Sequence, residues 1–138
     1  MTEATPGPRR MVARVAPDEQ LSEQLSVARL SAVLGMQNLR ANVYSLAEGA
    51  MSRHLHRTQE ELYIVLHGTA MIDVEGVQHR VGPREAIAVP ARSWRKLANA
   101  GAGPLTFLCI AAPPAEDDAE IAPGEDAEEV RRLWGLRR

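Results

Sequence analysis

The feature of this chain that most limits its possible folds is a succession of short apolar segments, each closed by turn-forming residues. Between residues 39 and 112 these segments are five to eight residues long, and glycine, proline or polar residues separate them. In the first segment Leu39, Ala41 and Val43 alternate with larger polar side chains, as in a strand with one buried face. Short strands at this spacing indicate an antiparallel sandwich or barrel.

The pattern also divides the chain into three parts. Residues 19–34 leave two interpretations open, one or two helical turns or a strand over Val27–Val33. After Pro113 the composition becomes acidic, and residues 125–136, with acids at one end and arginines at the other, predict a short C-terminal helix. We therefore expect a flexible arm (1–20), an all-β barrel (21–112), and an acidic linker with a helix (113–138). The predicted strands are Leu39–Leu46, Met51–His56, Glu61–His67, Thr69–Val74, Val77–Val81, Glu85–Val89, Trp94–Ala98 and Leu105–Ala112.

Composition and charge exclude several classes of protein. The net charge of −2 gives no long-range attraction to nucleic acid or to an anionic membrane, and no apolar run approaches the roughly 20 residues of a spanning helix. Residues 1–10 lack the apolar centre of a signal peptide. Cys109 is the only cysteine, so an intrachain disulfide is excluded, and its apolar surroundings predict a buried, inert thiol. We expect a cytoplasmic protein with neither a nucleic-acid nor a membrane partner.

A candidate metal site lies in the segment from Gly49 to Gly68. His54 and His56 are separated by one residue, so on a strand both imidazoles project to the same face. Glu61 follows at the start of the next predicted strand. Two imidazoles and one carboxylate form a three-ligand set for a divalent transition metal, with Fe, Mn, Ni, Zn and Cu as candidates. His67 is about 20 Å further along an extended strand, which excludes it as a fourth ligand.

These residues resemble the first motif of the cupin superfamily. In that motif a glycine leads to His-x-His, and a glutamate and then a glycine follow; His54, His56, Glu61 and Gly68 match it, although the leading Gly49 is one residue nearer than usual. The second motif aligns with residues 84–99, where Pro90 and Asn99 match. In the same segment, Arg84 and Arg92 stand where the family pattern usually has glycines. Arg95 stands where the pattern usually has the fourth metal ligand, a histidine. The resemblance implies an antiparallel double-stranded β-helix, or jelly roll, that pairs into a homodimer.

Arg95 leaves three alternatives for the site. It binds a carboxylate or phosphate of a ligand beside the metal, or it pairs with Glu61 and replaces the ion, or it turns to solvent at the barrel mouth. Tyr63 shares the strand parity of Glu61 and is predicted to line the cavity as a substrate-binding residue with Arg95.

Three functional hypotheses follow. The first is a metal-dependent cupin that binds or transforms a small, anionic organic molecule; the resemblance implies an oxygenase, isomerase or decarboxylase if there is turnover. The second is a ligand-binding or sensor domain without turnover, metal-free if Arg95 replaces the metal. The third is a purely structural partner module that uses the acidic segment.

Overall fold

The computed structural model describes residues 10–125 and is almost entirely β-structure. The prediction of an all-β fold is confirmed. The predicted C-terminal helix, residues 125–136, lies outside the described residues except for Glu125. Within them there are eleven strands and one short helix: β1 (Glu19–Gln20), β2 (Leu25–Ala28), α1 (Leu30–Leu34), β3 (Arg40–Leu46), β4 (His54–His56), β5 (Glu60–His67), β6 (Ala70–Val74), β7 (Val77–Val81), β8 (Ala86–Val89), β9 (Arg95–Asn99), β10 (Leu105–Ala112) and β11 (Ala119–Ile121).

The strands form two antiparallel sheets. The first has the order β1-β2-β3-β10-β5-β8, and the second has the order β11-β4-β9-β6-β7. Strands distant in the sequence are therefore neighbours, as β10 lies between β3 and β5, and β9 lies between β4 and β6. This arrangement brings the histidines of β4, the glutamate of β5 and the arginine of β9 to the interior of one barrel.

Aliphatic side chains fill most of the core because the chain has few aromatic residues. Val43, Val65, Ile72 and Leu105 are completely buried, and Phe107 is 1% exposed. Burial of each such side chain stabilises the fold by about 1.5–3 kcal/mol. This core packs the two sheets together beside the polar cluster described below.

Two regions differ from the sequence-based expectation. Residues 19–34 contain both a helix and strands, but in the opposite order to the two interpretations: strands β1 and β2 occupy the first part, where the pattern allows helical turns, and α1 covers Leu30–Leu34, where it allows a strand. β11 was not predicted, because its three residues lie in the acidic segment and offer no long apolar run. It pairs with β4, so part of the acidic segment lies directly beside the two histidines.

Left-handed backbone conformations occur at the positions where the family pattern has glycines. Arg84 has φ 68° and Arg92 has φ 64°. Their backbone N–H groups donate to Val65 O at 2.8 Å and to His56 O at 2.6 Å, respectively. These tertiary hydrogen bonds hold a conformation that costs a residue with a Cβ about 1 kcal/mol.

The glycine that ends the first motif is required by close packing. Gly68 has φ 84°, and a Cβ built there would lie 2.6 Å from the carbonyl oxygen of Pro104. Among residues 10–125, α1 is the one helix, and nothing in that range has the length and apolar character of a helical membrane span.

Candidate functional site

The three predicted metal ligands meet inside the barrel. His54, His56 and Glu61 are all buried, and each offers a ligand atom within 4.8 Å of the other two. His56 Nε2 lies 3.3 Å from Glu61 Oε2, and His54 Nε2 lies 4.0 Å from Glu61 Oε1. The two imidazoles stand edge to face with their centroids 5.1 Å apart. The prediction from strand parity, that both imidazoles project to the same face of their strand, is therefore confirmed.

The backbone orients His54 for coordination. Its Nδ1 lies 3.0 Å from Ser52 O, and because a carbonyl oxygen only accepts, Nδ1 carries the proton and Nε2 keeps a lone pair. Burial lowers the pKa of His54 to about 4, although the charge of Glu61 opposes this change. His54 is accordingly a neutral imidazole at neutral pH, which is the form that binds metals.

His56 lies between two carboxylates. Its Nε2 faces Glu61, and its Nδ1 lies 3.4 Å from Asp118 Oδ2, in a geometry that falls short of a hydrogen bond. Asp118 is held by hydrogen bonds from Thr58 N, Thr58 Oγ1 and Gln59 N. Burial alone would raise the pKa of Asp118, but these hydrogen bonds lower it overall, so the carboxylate stays ionised. A carboxylate behind a ligating imidazole is the usual outer partner in metal sites.

Arg95 points into the same cluster. Its side chain is 0% exposed, and its Nη1 lies 2.6 Å from Glu61 Oε1. Its Nε and Nη2 donate to Ser93 O and Pro90 O, each at 3.1 Å. The alternative in which Arg95 turns to solvent is therefore wrong, because the guanidinium is buried and Nε, Nη1 and Nη2 each donate to a protein oxygen.

Glu61 is the acceptor around which the site is organised. Tyr63 donates its hydroxyl proton to Oε1, and Cys109 Sγ lies 3.3 Å from Oε2. Burial alone would raise the pKa of Glu61, but the hydrogen bond from His56 and the nearby positive charge, including that of Arg95, hold it well below its usual range. Glu61 is thus a carboxylate at neutral pH.

The other two donors around Glu61 stay protonated. Burial, and then the charge of Glu61, raise the pKa of Tyr63 and the pKa of Cys109 well above their usual values. The thiol is therefore a poor nucleophile, as expected, but Cys109 is half-buried at the cavity wall and not fully buried as predicted. Its place beside Glu61 was not foreseen from the sequence.

The chemistry of the donor set fits a divalent metal. Two imidazoles whose Nδ1 atoms are directed at Ser52 and Asp118 present Nε2 to the same point as Glu61. The cation of Arg95 opposes a second positive charge nearby, but the carboxylates of Glu61 and Asp118 offset it. Glu61 holds Arg95 on Oε1, so its Oε2, beside His56 Nε2, is the oxygen better placed for a metal.

A cavity of about 510 Å³ opens onto this cluster. Rows of side chains across the first sheet form one wall: Arg40, Ala111 and Glu61 in one row, then Asn42, Cys109 and Tyr63 in the next. Tyr63 lines the cavity as predicted, whereas Val65, which has the same strand parity, packs in the core. Sequence reasoning missed Arg40, Asn42 and Tyr44, although the alternation recognised in β3 already placed them on one face.

Comparison with known proteins agrees with this geometry. The sequence profile of the family described as "Cupin domain" matches residues 42–111, about half of the chain. An uncharacterised protein, MJ1618 of Methanocaldococcus jannaschii, is 33% identical over 69 residues, which cover 49% of this chain and 55% of that protein. This chain thus spans about half the length of the curated relative it matches.

Solved structures extend the comparison to the fold. A cupin-superfamily protein from Silicibacter pomeroyi, SPO2919, described as a sugar phosphate isomerase, superposes with a TM-score of 0.67 at 23% identity, covering 75% of this chain and 68% of that one. A Bacteroides fragilis cupin protein, BF4112, gives a TM-score of 0.63 at 18% identity, covering 80% and 88%. At these identities the likeness concerns the fold alone, and it confirms the jelly roll. With the matching family profile and the two antiparallel sheets, it establishes that this chain belongs to the cupin family.

Proposed function

We propose that this cupin holds a divalent transition metal on His54, His56 and Glu61 and binds a small organic anion in the cavity beside it. The observation that carries the proposal is the convergence of these three buried donors at the cavity wall. The positions of Ser52 and Asp118 add support, since they leave both Nε2 atoms directed at Glu61.

The metal would supply a Lewis acid with open coordination positions. The donor set is compatible with Fe, Mn, Ni, Zn or Cu. The protein's own groups bind and orient the ligand: Tyr63 and Arg95 are proposed as substrate-binding residues because both line the cavity and both contact Glu61. The proposal concerns binding and does not require turnover of the oxygenase, isomerase or decarboxylase kind.

The neighbouring structures suggest one ligand to include in a screen. The Silicibacter pomeroyi protein is described as a sugar phosphate isomerase, and a protein from Acidithiobacillus ferrooxidans is described as a "Putative sugar phosphate isomerase". A sugar phosphate is a small organic anion, so it belongs among the probes for this cavity.

The proposed setting is a cytoplasmic homodimer without a nucleic-acid or membrane partner. The N-terminal strands β1 and β2 form one edge of the larger sheet, which is where the family resemblance implies pairing. Analytical ultracentrifugation of the full chain should give twice the mass of 15.1 kDa. A monomer at all concentrations would contradict this part of the proposal.

The metal site is tested by titration of the chelator-treated protein with Co²⁺ followed by visible absorption, and by elemental analysis of the protein as purified. We expect one equivalent to bind, with the affinity lost in His54→Ala. The matched control is His79→Ala, because His79 is exposed on β7. Equal affinity of His54→Ala and the wild-type protein would show that the ligand assignment is wrong.

The ion pair between Arg95 and Glu61 favours a second candidate function. In it the guanidinium replaces the metal, and the cavity is that of a metal-free binding or sensor domain. Arg95→His separates the two candidates, because it restores the usual fourth ligand. Metal binding by the wild-type protein supports the first candidate; binding only by Arg95→His supports the second.

A further inference from the structure

Three arginines line the cavity, and two of them already have anionic partners. Arg95 is paired with Glu61 at 2.6 Å, and Arg29 is paired with Glu19, its Nε lying 2.9 Å from Oε1. Arg40 is different. Its Nη2 donates to the carbonyl oxygen of Ala115 at 3.1 Å, and no carboxylate among residues 10–125 lies within salt-bridge distance of its guanidinium.

The surroundings of Arg40 suit an anion from the cavity. Asp117 and Asp118 line a smaller pocket of about 20 Å³ that Arg40 also lines, but neither carboxylate forms a salt bridge with its guanidinium. Asp118 is already held by Thr58 and Gln59. A half-buried arginine with donors to spare beside a larger cavity is a suitable partner for a carboxylate or phosphate, which it can bind bidentately.

The register of the sheet sets the distance from Arg40 to the metal-ligand cluster. Ala111 of β10 lies opposite Arg40 of β3 on one side and opposite Glu61 of β5 on the other. Arg40 and Glu61 are therefore two strand spacings apart, about 10 Å. The small side chain of Ala111 between them leaves open a path across which one extended ligand can reach both.

The remaining walls of the cavity set the character of that ligand's middle part. They are largely apolar or aromatic: Met51, Leu97, Phe107 and Tyr44. Phe107 and Tyr44 stack with their centroids 5.4 Å apart. Such walls stabilise an apolar body and offer few partners to a chain of hydroxyl groups.

We infer that the cavity ligand is an organic acid with an apolar body, whose anionic end binds Arg40 while the other end reaches the cluster of His54, His56 and Glu61. This inference rests on the proposed function, in which a small organic anion occupies the cavity. It adds Arg40 as the residue that recognises the anionic end, and an apolar organic acid as the ligand class. It favours an apolar carboxylate over a sugar phosphate.

The test compares ligands that differ only in charge. Isothermal titration of the metal-loaded protein with 3-phenylpropionate and with 3-phenylpropionamide, and with butyrate and butyramide, measures the contribution of the anionic end. We expect at least one acid to bind about tenfold or more tightly than its amide, as a charged hydrogen bond implies. Glucose 6-phosphate is expected to bind more weakly than that acid.

Variants then assign the difference to Arg40. Arg40→Met keeps the length and apolar stem of the side chain but removes the charge, and should abolish the preference for the acid while leaving Co²⁺ affinity unchanged. Arg80→Met, at an exposed position on β7, is the matched control and should keep the preference. An unchanged preference in Arg40→Met, no acid that binds better than its amide, or tighter binding of glucose 6-phosphate would overturn the inference. Failure of the wild-type protein to bind Co²⁺ would instead count against the metal site of the proposed function.

Discussion

The two motif segments of this barrel, residues 49–68 and 84–99, differ in what each has kept from the family pattern. The first keeps its chemistry: the two histidines and the glutamate are present, buried and converged. The second keeps its backbone. Arg84 and Arg92 take the left-handed conformation expected of glycines, and Asn99 ties two loops together through Leu46 O and Gly103 O, each within about 3 Å.

The difference shows that backbone geometry and site chemistry are specified separately. A left-handed arginine costs about 1 kcal/mol, which a barrel with a large core tolerates. The histidine-to-arginine departure at position 95 has another kind of consequence, because it places a permanent cation where the family pattern has a ligand. The second segment therefore preserves the shape of the cavity but alters the charge within it.

The largest expected effect comes from breaking the contact between the two segments. Arg95→Met leaves the ionised Glu61 buried without its cation, so the free energy of unfolding should fall by about 3–5 kcal/mol in the presence of a chelator. Urea denaturation measures the loss. Arg80→Met should stay within about 0.5 kcal/mol of the wild-type protein. Equal stability of the two variants would mean that the ion pair makes no net contribution.

Acidification should lower the stability of the folded protein through His54, which lies in the first segment. Its pKa is about 4 in the folded protein and about 6.5 when unfolded, so between these values the unfolded state binds a proton that the folded state does not. Stability is therefore lost as the pH falls from about 6.5 to 4, by up to about 3 kcal/mol. Urea denaturation in chelator across this range should show a weaker pH dependence for His54→Gln than for the wild-type protein. Parallel curves would contradict the assignment to His54.

Asp118 tests whether the acidic segment belongs to the metal site. Asp118→Asn keeps one oxygen that can accept the hydrogen bonds from Thr58, but it replaces the oxygen that accepts from Gln59 N and removes the charge behind His56. Co²⁺ affinity should fall about 10- to 100-fold. The neighbouring Asp117 is exposed, so Asp117→Asn is the control and should bind as the wild-type protein does. An equal affinity in both variants would make Asp118 purely structural.

The smallest effect should come from restoring the backbone pattern of the second segment. Arg92→Gly relieves about 1 kcal/mol of left-handed strain, and the greater freedom of unfolded glycine offsets at least half of it, so stability should rise by up to about 0.5 kcal/mol. Arg80→Gly, within a regular strand, should lower stability by about 0.5–1 kcal/mol. Thermal unfolding of both variants gives the comparison, and a loss in Arg92→Gly would show that its side chain contributes more than its strain costs.

The sequence predicts the site residues correctly where strand parity alone decides which face of the sheet a side chain occupies. His54 and His56 share a face because they are two residues apart, and Tyr63 follows Glu61 into the cavity for the same reason. Asp118 could not be found this way. It reaches His56 only because β11 pairs with β4 across about sixty residues of chain, and its surroundings in the sequence look like any acidic linker.

By itself the amino-acid sequence determined the all-β class, the turns between strands and the three donor residues, because these depend on local periodicity and turn chemistry. Tertiary structure alone decided which alternative Arg95 adopts. The pairing of β4 with β9 sets Arg95 opposite His54, and burial then leaves the guanidinium no better partner than Glu61 and two carbonyl oxygens. A buried cation takes the partners that the fold provides, and the identity of those partners is not contained in any short stretch of sequence.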